Sequence, residues 1–300
     1  FDDIANNKVY ITGGVGSSHL GEAFTVPYHL PNRTAYTETC AAISLAMFCN
    51  RMLQIDTDSK YADMAERAIY NGFLSGVSMD GKSFFYENPL EIDPRFNHVN
   101  PSVINKERFP ITQRLEVFDC SCCPPNIVRF IPSIADFLYT YNDETVYVHQ
   151  YIDSVTEYGD IKISQNTGYP ANGEIKIQCT APQKKIALRI PSWCQNFSLN
   201  VDYTLKNGYA YIEMNDSIEI ELKLDMPVVF IKANKRVHEN AGRIAVMRGP
   251  VVYCGEAVDN GNDLRCIEID TNAPAKIEEG EFILPSVTLQ AFRQKDDDKL

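Results

Sequence analysis

Asn142-Asp143-Glu144-Thr145 marks the point where the hydrophobic period of this chain changes. Before it, apolar residues recur at three- and four-residue intervals, the repeat of a helix packed on one side. Residues 36 to 55 carry Ala41, Ala42, Leu45, Phe48, Met52 and Leu53 in that repeat and are expected to form a helix. Its apolar residues fall on more than one face, which points to deep burial. A second helix is expected over 58 to 76, with Ala62, Ala65, Ile69, Phe73 and Leu74 inward. A third should begin at Pro124 and Pro125 and run to about Tyr141, kinked or divided at Pro132. Proline suits a first turn because its missing N–H has no partner there, but an interior proline removes a bond. After the boundary the period becomes two. Ile218, Ile220, Leu222 and Leu224 alternate with Glu219, Glu221 and Lys223, the pattern of a half-buried strand. Val146/Val148, Ile161/Ile163, Ile175/Ile177 and Ile186/Leu188/Ile190 repeat it. Asn207-Gly208 is a hairpin turn, since both residues tolerate positive φ. Helices first and strands second predict an α-then-β, multidomain chain: a helical unit over 1–142 and a β-sandwich or jelly-roll region over 143–300.

Composition limits the function classes. The 300 residues are 44% hydrophobic and 23% charged, as in ordinary globular proteins. A net charge of −12 argues against a nucleic-acid partner, whose phosphates need a basic footprint. No apolar run approaches the roughly 18 residues needed to span a membrane. The start at Phe1 has neither the basic nor the apolar region of a secretory signal, and starting on Phe rather than Met suggests that upstream sequence is absent. The nine cysteines are odd in number and scattered, so they are read as mostly reduced and the location as cytoplasmic. The three or four helices of the first half offer one another few neighbours, so further helices are expected upstream.

The densest chemistry lies in Cys120-Ser121-Cys122-Cys123-Pro124-Pro125-Asn126. Thiols at a helix start feel the positive end of its dipole, which favours thiolate, and thiolates are soft metal ligands. Two buried small side chains would read the same way. Glu38-Thr39-Cys40 heads the first helix, and with Cys122 and Cys123 it offers three sulfurs and a carboxylate for a tetrahedral site. The alternative is that Glu38 caps the helix and Cys40 packs in the core. Thr12-Gly13-Gly14-Val15-Gly16-Ser17-Ser18-His19-Leu20-Gly21-Glu22 fails as a phosphate loop, with no Gly-Lys-Ser/Thr after the glycines. Its glycines are expected to turn the backbone close to a ligand and present Glu22. His19, His29, His98, His149 and His238 lack metal-ligand spacing.

Several of these segments occur together with others: Tyr-Ile-Thr-Gly-Gly-Val-Gly-Ser at 10 to 17, Gly-Glu-Ala-Phe at 21 to 24, Leu-Pro-Asn at 30 to 32 and Tyr-Thr-Glu-Thr-Cys-Ala at 36 to 41. Glu-Arg-Ala-Ile-Tyr-Asn-Gly at 66 to 72, Tyr-Glu-Asn-Pro-Leu-Glu at 86 to 91 and Cys-Cys-Pro-Pro-Asn at 122 to 126 follow. Leu-Arg-Ile-Pro-Ser-Trp at 188 to 193 and Arg-Gly-Pro-Val-Val-Tyr at 248 to 253 complete the series. In this order the chain resembles glycoside hydrolase family 127, the β-L-arabinofuranosidases. The resemblance implies the C-terminal part of an (α/α)6 catalytic barrel followed by β-sandwich domains. It also implies retaining exo-hydrolysis of non-reducing terminal β-L-arabinofuranosides, a small oligosaccharide or arabinofuranoside substrate, and zinc as cofactor. By the same resemblance Cys122 is the nucleophile, Glu22 the acid/base, and Glu38, Cys40, Cys122 and Cys123 the zinc ligands. Glu66 and Tyr86 are implied in or beside the sugar pocket. The family's barrel begins well upstream of Phe1, so these 300 residues alone are expected to be inactive. A homodimer is a possible assembly on which the sequence is silent. Two rivals remain at this point: a related zinc–cysteine glycosidase for another furanose or branched sugar, and a non-catalytic zinc-stabilised carbohydrate-binding scaffold.

Overall fold

The computed structural model describes residues 1–93, 111–118, 120–279 and 284–294. The helical part contains α1 (Asp2–Asn7), α2 (Thr39–Leu53), α3 (Ser59–Arg67) and α4 (Cys123–Ser133). Ala46 of α2 and Ala62 and Ala65 of α3 are fully buried, so small side chains let the two backbones approach. Phe73 and Phe130 meet edge to face at 5.0 Å and bring α4 onto the same core.

Each expected helix differs from the observed one in its bounds. The first starts at Thr39 rather than 36, with Glu38 as its N-cap residue. Its Met47 and Phe48 are exposed, so α2 is not buried all round. The second gives way after Arg67 to a wide π turn, Ala68–Phe73, and then a single 3₁₀ turn, Leu74–Gly76. Gly72 lies there because a Cβ would come within 2.7 Å of the Ala42 Cβ. The third stops at Ser133, one residue past Pro132; a 3₁₀ turn, Ile134–Phe137, leads into strand β1 (Tyr139–Tyr141), where helix was expected.

The alternating segments form strands as read. One sheet has the order β1, β2 (Thr145–Val148), β6 (Lys185–Arg189), β9 (Tyr209–Ile212), β8 (Thr204–Lys206). A second runs β3 (Ser154–Tyr158), β4 (Ile161–Thr167), β5 (Glu174–Thr180), β10 (Ser217–Leu224), β7 (Phe197–Leu199). Val146, Val148, Ile186 and Leu188 from the first sheet share one core with Ile163, Ile177, Ile220 and Leu222 from the second. In β10 the isoleucines and leucines turn inward while Glu219, Glu221 and Lys223 stay exposed. The β8–β9 hairpin turns at Asn207 and Gly208, with φ of 50° and 75°, the primed-turn geometry expected of that pair. Beyond Leu224 lie a three-stranded sheet of β11 (Val228–Ile231), β12 (Ala245–Arg248) and β13 (Val251–Tyr253), and two further two-stranded ribbons.

The helical and β parts are joined through buried polar groups. Arg189 at the end of β6 is fully buried, with Nη1 2.6 Å from Asp63 Oδ1 and Nη2 2.5 Å from Glu66 Oε1, both on α3. Tyr169 donates to Glu66 Oε1 at 2.6 Å, and the Trp193 indole N–H to Oε2 at 3.3 Å. Burial opposes the Arg189 charge, but the Glu66 and Asp63 carboxylates outweigh it and hold its pKa well above the usual value. The Asn71 amide spans to the three-stranded sheet, donating to the Pro250 carbonyl and accepting from the Val252 N–H.

Candidate active site and metal centre

Glu38, Cys40, Cys122 and Cys123 come together although more than eighty positions separate the two pairs. The cause is the packing of α2 on α4. Glu38 is the N-cap residue of α2 and Cys40 lies in its first turn; Cys122 is the N-cap residue of α4 and Cys123 its first residue. Two helix N-termini therefore face one cluster, and their dipoles favour negative charge there. The Glu38 carboxylate makes no cap bond to its own helix. It lies 3.0 Å from Cys122 Sγ and 3.8 Å from Cys123 Sγ instead, so the capping alternative is set aside.

The segment carrying Glu38 is held from both sides. The Thr37 N–H donates to the Gly16 carbonyl at 2.9 Å, and its hydroxyl donates to the Asn88 carbonyl at 2.5 Å. The Thr39 hydroxyl donates to the Phe85 carbonyl at 2.7 Å. Thr37 has φ of 32°, an outlier for a β-branched residue, and such strain persists only where the surroundings impose it. The glycine loop contributes through close approach, though to protein rather than to a ligand: a Cβ on Gly13 would come within 2.6 Å of the Ala68 backbone nitrogen.

The donor set fits a tetrahedral metal. The three sulfurs lie 3.7, 3.6 and 3.9 Å apart, and all four ligand atoms fall within 4.8 Å of one another. A zinc–sulfur bond of about 2.3 Å requires tetrahedral S···S edges of about 3.8 Å. Without a cation, the Cys122 and Cys123 thiols are held in the protonated form. Burial pushes the Cys122 thiol up to about 12, and its bond to Glu38 adds to the push. The contact with Cys40, together with burial, drives Cys123 well above the thiol range, while that with Cys123 lowers Cys40. A divalent cation reverses this ordering by favouring every anion at once. Cys123 is fully buried, whereas Cys40 and Cys122 are half-buried and reachable.

Glu22 is connected to this cluster through two phenols. It stands exposed on a tight turn, with φ of 50°, closed by paired hydrogen bonds between Ser18 and Ala23. The Tyr36 hydroxyl donates to Glu22 Oε1 at 2.8 Å. The Tyr86 hydroxyl lies 3.5 Å from that of Tyr36 and 3.5 Å from Cys122 Sγ. The turn is braced at its base by a chain from Ser17 Oγ to Thr25 Oγ1 at 2.6 Å and on to His29 Nδ1 at 2.7 Å.

Of the residues singled out in the sequence, Glu22, Glu38, Cys40, Tyr86, Cys122 and Cys123 thus form one constellation. Glu66 is not brought into it: Arg189, Tyr169 and Trp193 of the β part engage both its carboxylate oxygens. His98 lies outside the described residues. Tyr36 had no assigned role, although it stands in the quoted Tyr-Thr-Glu-Thr-Cys-Ala segment, two positions before Glu38. Asn126, at the end of the cysteine motif, helps to lower the Cys40 thiol pKa through its side chain.

Three family models match consecutive parts of the chain. These are the "Beta-L-arabinofuranosidase, GH127 catalytic domain" over residues 1–136, the corresponding "GH127 middle domain" over 145–227, and the "Glycoside hydrolase family 127 C-terminal domain" over 228–291. A non-reducing end β-L-arabinofuranosidase from Bifidobacterium longum subsp. longum is 39% identical over 280 residues, covering 87% of this chain and 42% of that protein. The crystal structure of a GH127 β-L-arabinofuranosidase from Geobacillus stearothermophilus T6 matches with a TM-score of 0.85 and 38% identity, over 99% of this chain and 49% of its own. A GH127 β-arabinofuranosidase structure matches at a TM-score of 0.80 and 34% identity, over 97% of this chain and 48% of its own. The chain spans about half the length of these relatives.

Proposed function

The chain belongs to glycoside hydrolase family 127, and from that premise we propose that the intact protein is a retaining exo-glycosidase releasing L-arabinose from non-reducing terminal β-L-arabinofuranosides. The observation that carries this reading is the Glu38–Cys40–Cys122–Cys123 cluster with Glu22 linked to it through Tyr36 and Tyr86. Glu38, Cys40, Cys122 and Cys123 would hold zinc, which would keep the sulfurs as thiolates at neutral pH. Residues 1–142 are taken as part of the (α/α)6 catalytic barrel, and 143–300 as the β-sandwich region that supports it.

A retaining glycosidase needs a nucleophile below the anomeric carbon and an acid beside the departing oxygen. Cys122 is the half-buried sulfur nearest Tyr86 and so nearest the side from which Glu22 is linked, which favours it over Cys123. Its Sγ attacks the anomeric carbon as the glycosidic C–O bond breaks, and Glu22 gives its proton to the leaving oxygen. The Glu22 carboxylate then takes a proton from water, whose oxygen displaces Cys122 from the sugar. The first product keeps the β configuration. The Tyr86 hydroxyl, 3.5 Å from Cys122 Sγ, is positioned to touch the sugar. Zinc held by all four residues would resemble a closed structural site, so Cys122 would have to be the ligand it holds most weakly.

All nine cysteines are free of disulfides, which supports a reducing, cytoplasmic setting. Among the described residues no helix is long and apolar enough to cross a membrane. The test is an assay of the intact protein on a panel of aryl furanosides, with the product anomer followed by NMR. Release of β-L-arabinofuranose before mutarotation is expected. Inversion would defeat the cysteine-nucleophile reading, and preference for another furanose would transfer the activity to that sugar.

A further inference from the structure

Glu22 must do two things on one carboxylate: stay at a fixed place on an exposed turn, and keep its proton on the oxygen that faces the leaving group. The turn fixes the backbone but not the side chain, whose position is fixed by Tyr36. That hydroxyl is buried, at the end of a ring packed edge to face against Tyr86 with centroids 6.2 Å apart. A phenol has one proton to give, and the 2.8 Å contact spends it on Glu22 Oε1. The Tyr86 hydroxyl oxygen lies farther off, at 3.5 Å. An oxygen that already accepts a hydrogen bond from a fixed donor is the carbonyl oxygen of the protonated acid. In the acid form, Oε2 is therefore the oxygen left to carry the proton.

We infer that Tyr36 is a positioning residue for the acid/base, selecting Oε2 of Glu22 as the proton-bearing oxygen and holding it toward the leaving group. This rests on the glycosidase reading above, and it goes beyond that reading by assigning the group that makes an exposed glutamate competent. Through Tyr86, the same pair of rings also fixes the spacing between the acid and the Cys122 sulfur. A donor that only orients another group should matter where proton donation is difficult and very little where the leaving group departs unaided.

The measurement is kcat/KM, which reports the glycosylation half-step, for wild-type, Tyr36→Phe and Glu22→Gln intact proteins. Each is assayed on L-arabinofuranosides bearing a dinitrophenyl, a phenyl or a methyl aglycone. The ratio between two substrates in one preparation cancels the active fraction, so partial misfolding or metal loss does not disguise the result. Positioning predicts that Tyr36→Phe loses roughly 10- to 100-fold on the phenyl and methyl glycosides but less than about threefold on the dinitrophenyl one, a share of the 10²–10⁴ that general acid catalysis supplies. An equal fall on all three, or no fall, overturns the proposal. Glu22→Gln separates the two readings. If it shows the leaving-group dependence and Tyr36→Phe does not, only the positioning role fails; if Glu22→Gln lacks it as well, the acid/base assignment itself is wrong.

Discussion

The sulfur of Cys122 has two kinds of neighbour, and each sets a different demand on it. The Glu38 carboxylate and two further thiols crowd it, and with burial they favour its protonated form; the Tyr86 hydroxyl lies 3.5 Å away. Removing either function should have a separable effect. Cys122→Ser should abolish turnover and weaken metal retention, because a hydroxyl is both a poorer nucleophile at neutral pH and a harder ligand. Glu22→Gln should cost about 10²–10⁴ in rate on unactivated glycosides yet leave the metal content of the purified protein unchanged, as measured by elemental analysis. A non-catalytic metal scaffold would bind its sugar equally well with either residue at position 22. The thiols and Glu38 were legible as candidates because their residue types permit a soft-metal site, although buried small side chains and a helix cap read the same way. Tyr36 was not, since a buried tyrosine with a satisfied hydroxyl looks the same in sequence whatever its partner.

At the scale of elements, the site depends on where α2 and α4 begin. Both starts were legible only to within a few residues: the first was expected at 36 and lies at Thr39, the other was expected at Pro124 and lies at Cys123. That the two ends would meet was not, because neither spacing nor periodicity encodes a contact between residues this far apart. The ends of the helices were misread where side chains from distant segments intervene. Asn71 spends its amide on Pro250 and Val252, which belong to the β part, and the helix opens into a π turn there. Gly13 belongs to the same packing. With φ of 73° and the Ala68 backbone within 2.6 Å of any Cβ, Gly13→Ala should destabilise the fold by roughly 2 kcal/mol or more. A lower denaturant midpoint with an unchanged slope would show it. By contrast, the exposed Gly21, with nothing within 4 Å of its Cβ position, should cost only its backbone strain.

Across the whole molecule, the alternating segments could be read as strands because alternation survives in a half-buried sheet, whereas β1, expected as helix, and the seam between the parts could not. Arg189 stands in the quoted Leu-Arg-Ile-Pro-Ser-Trp segment, but only the fold shows it fully buried between Asp63 and Glu66. Arg189→Met should destabilise by about 3–5 kcal/mol, since two buried carboxylates would lose their partner. Beside it His149 is held neutral: burial lowers its pKa to about 3, and its ring nitrogens bond to Tyr209 and Thr140. The unfolded chain protonates this histidine below about pH 6.5, and the folded one only near 3. Its contribution to stability is therefore full above the first value and declines as pH falls toward the second, by up to about 1.4 kcal/mol per unit. Urea midpoints measured over that range should fall less steeply for His149→Gln than for the wild type.

The nucleophile is the claim on which the site assignment turns, and a trapped intermediate tests it most directly. Intact Glu22→Gln protein, slow to hydrolyse the intermediate, would be mixed with a dinitrophenyl β-L-arabinofuranoside, quenched in acid and digested for peptide mass mapping. The account predicts one pentosyl group attached to Cys122; a pentosyl group on Glu38 or any other carboxylate would contradict it.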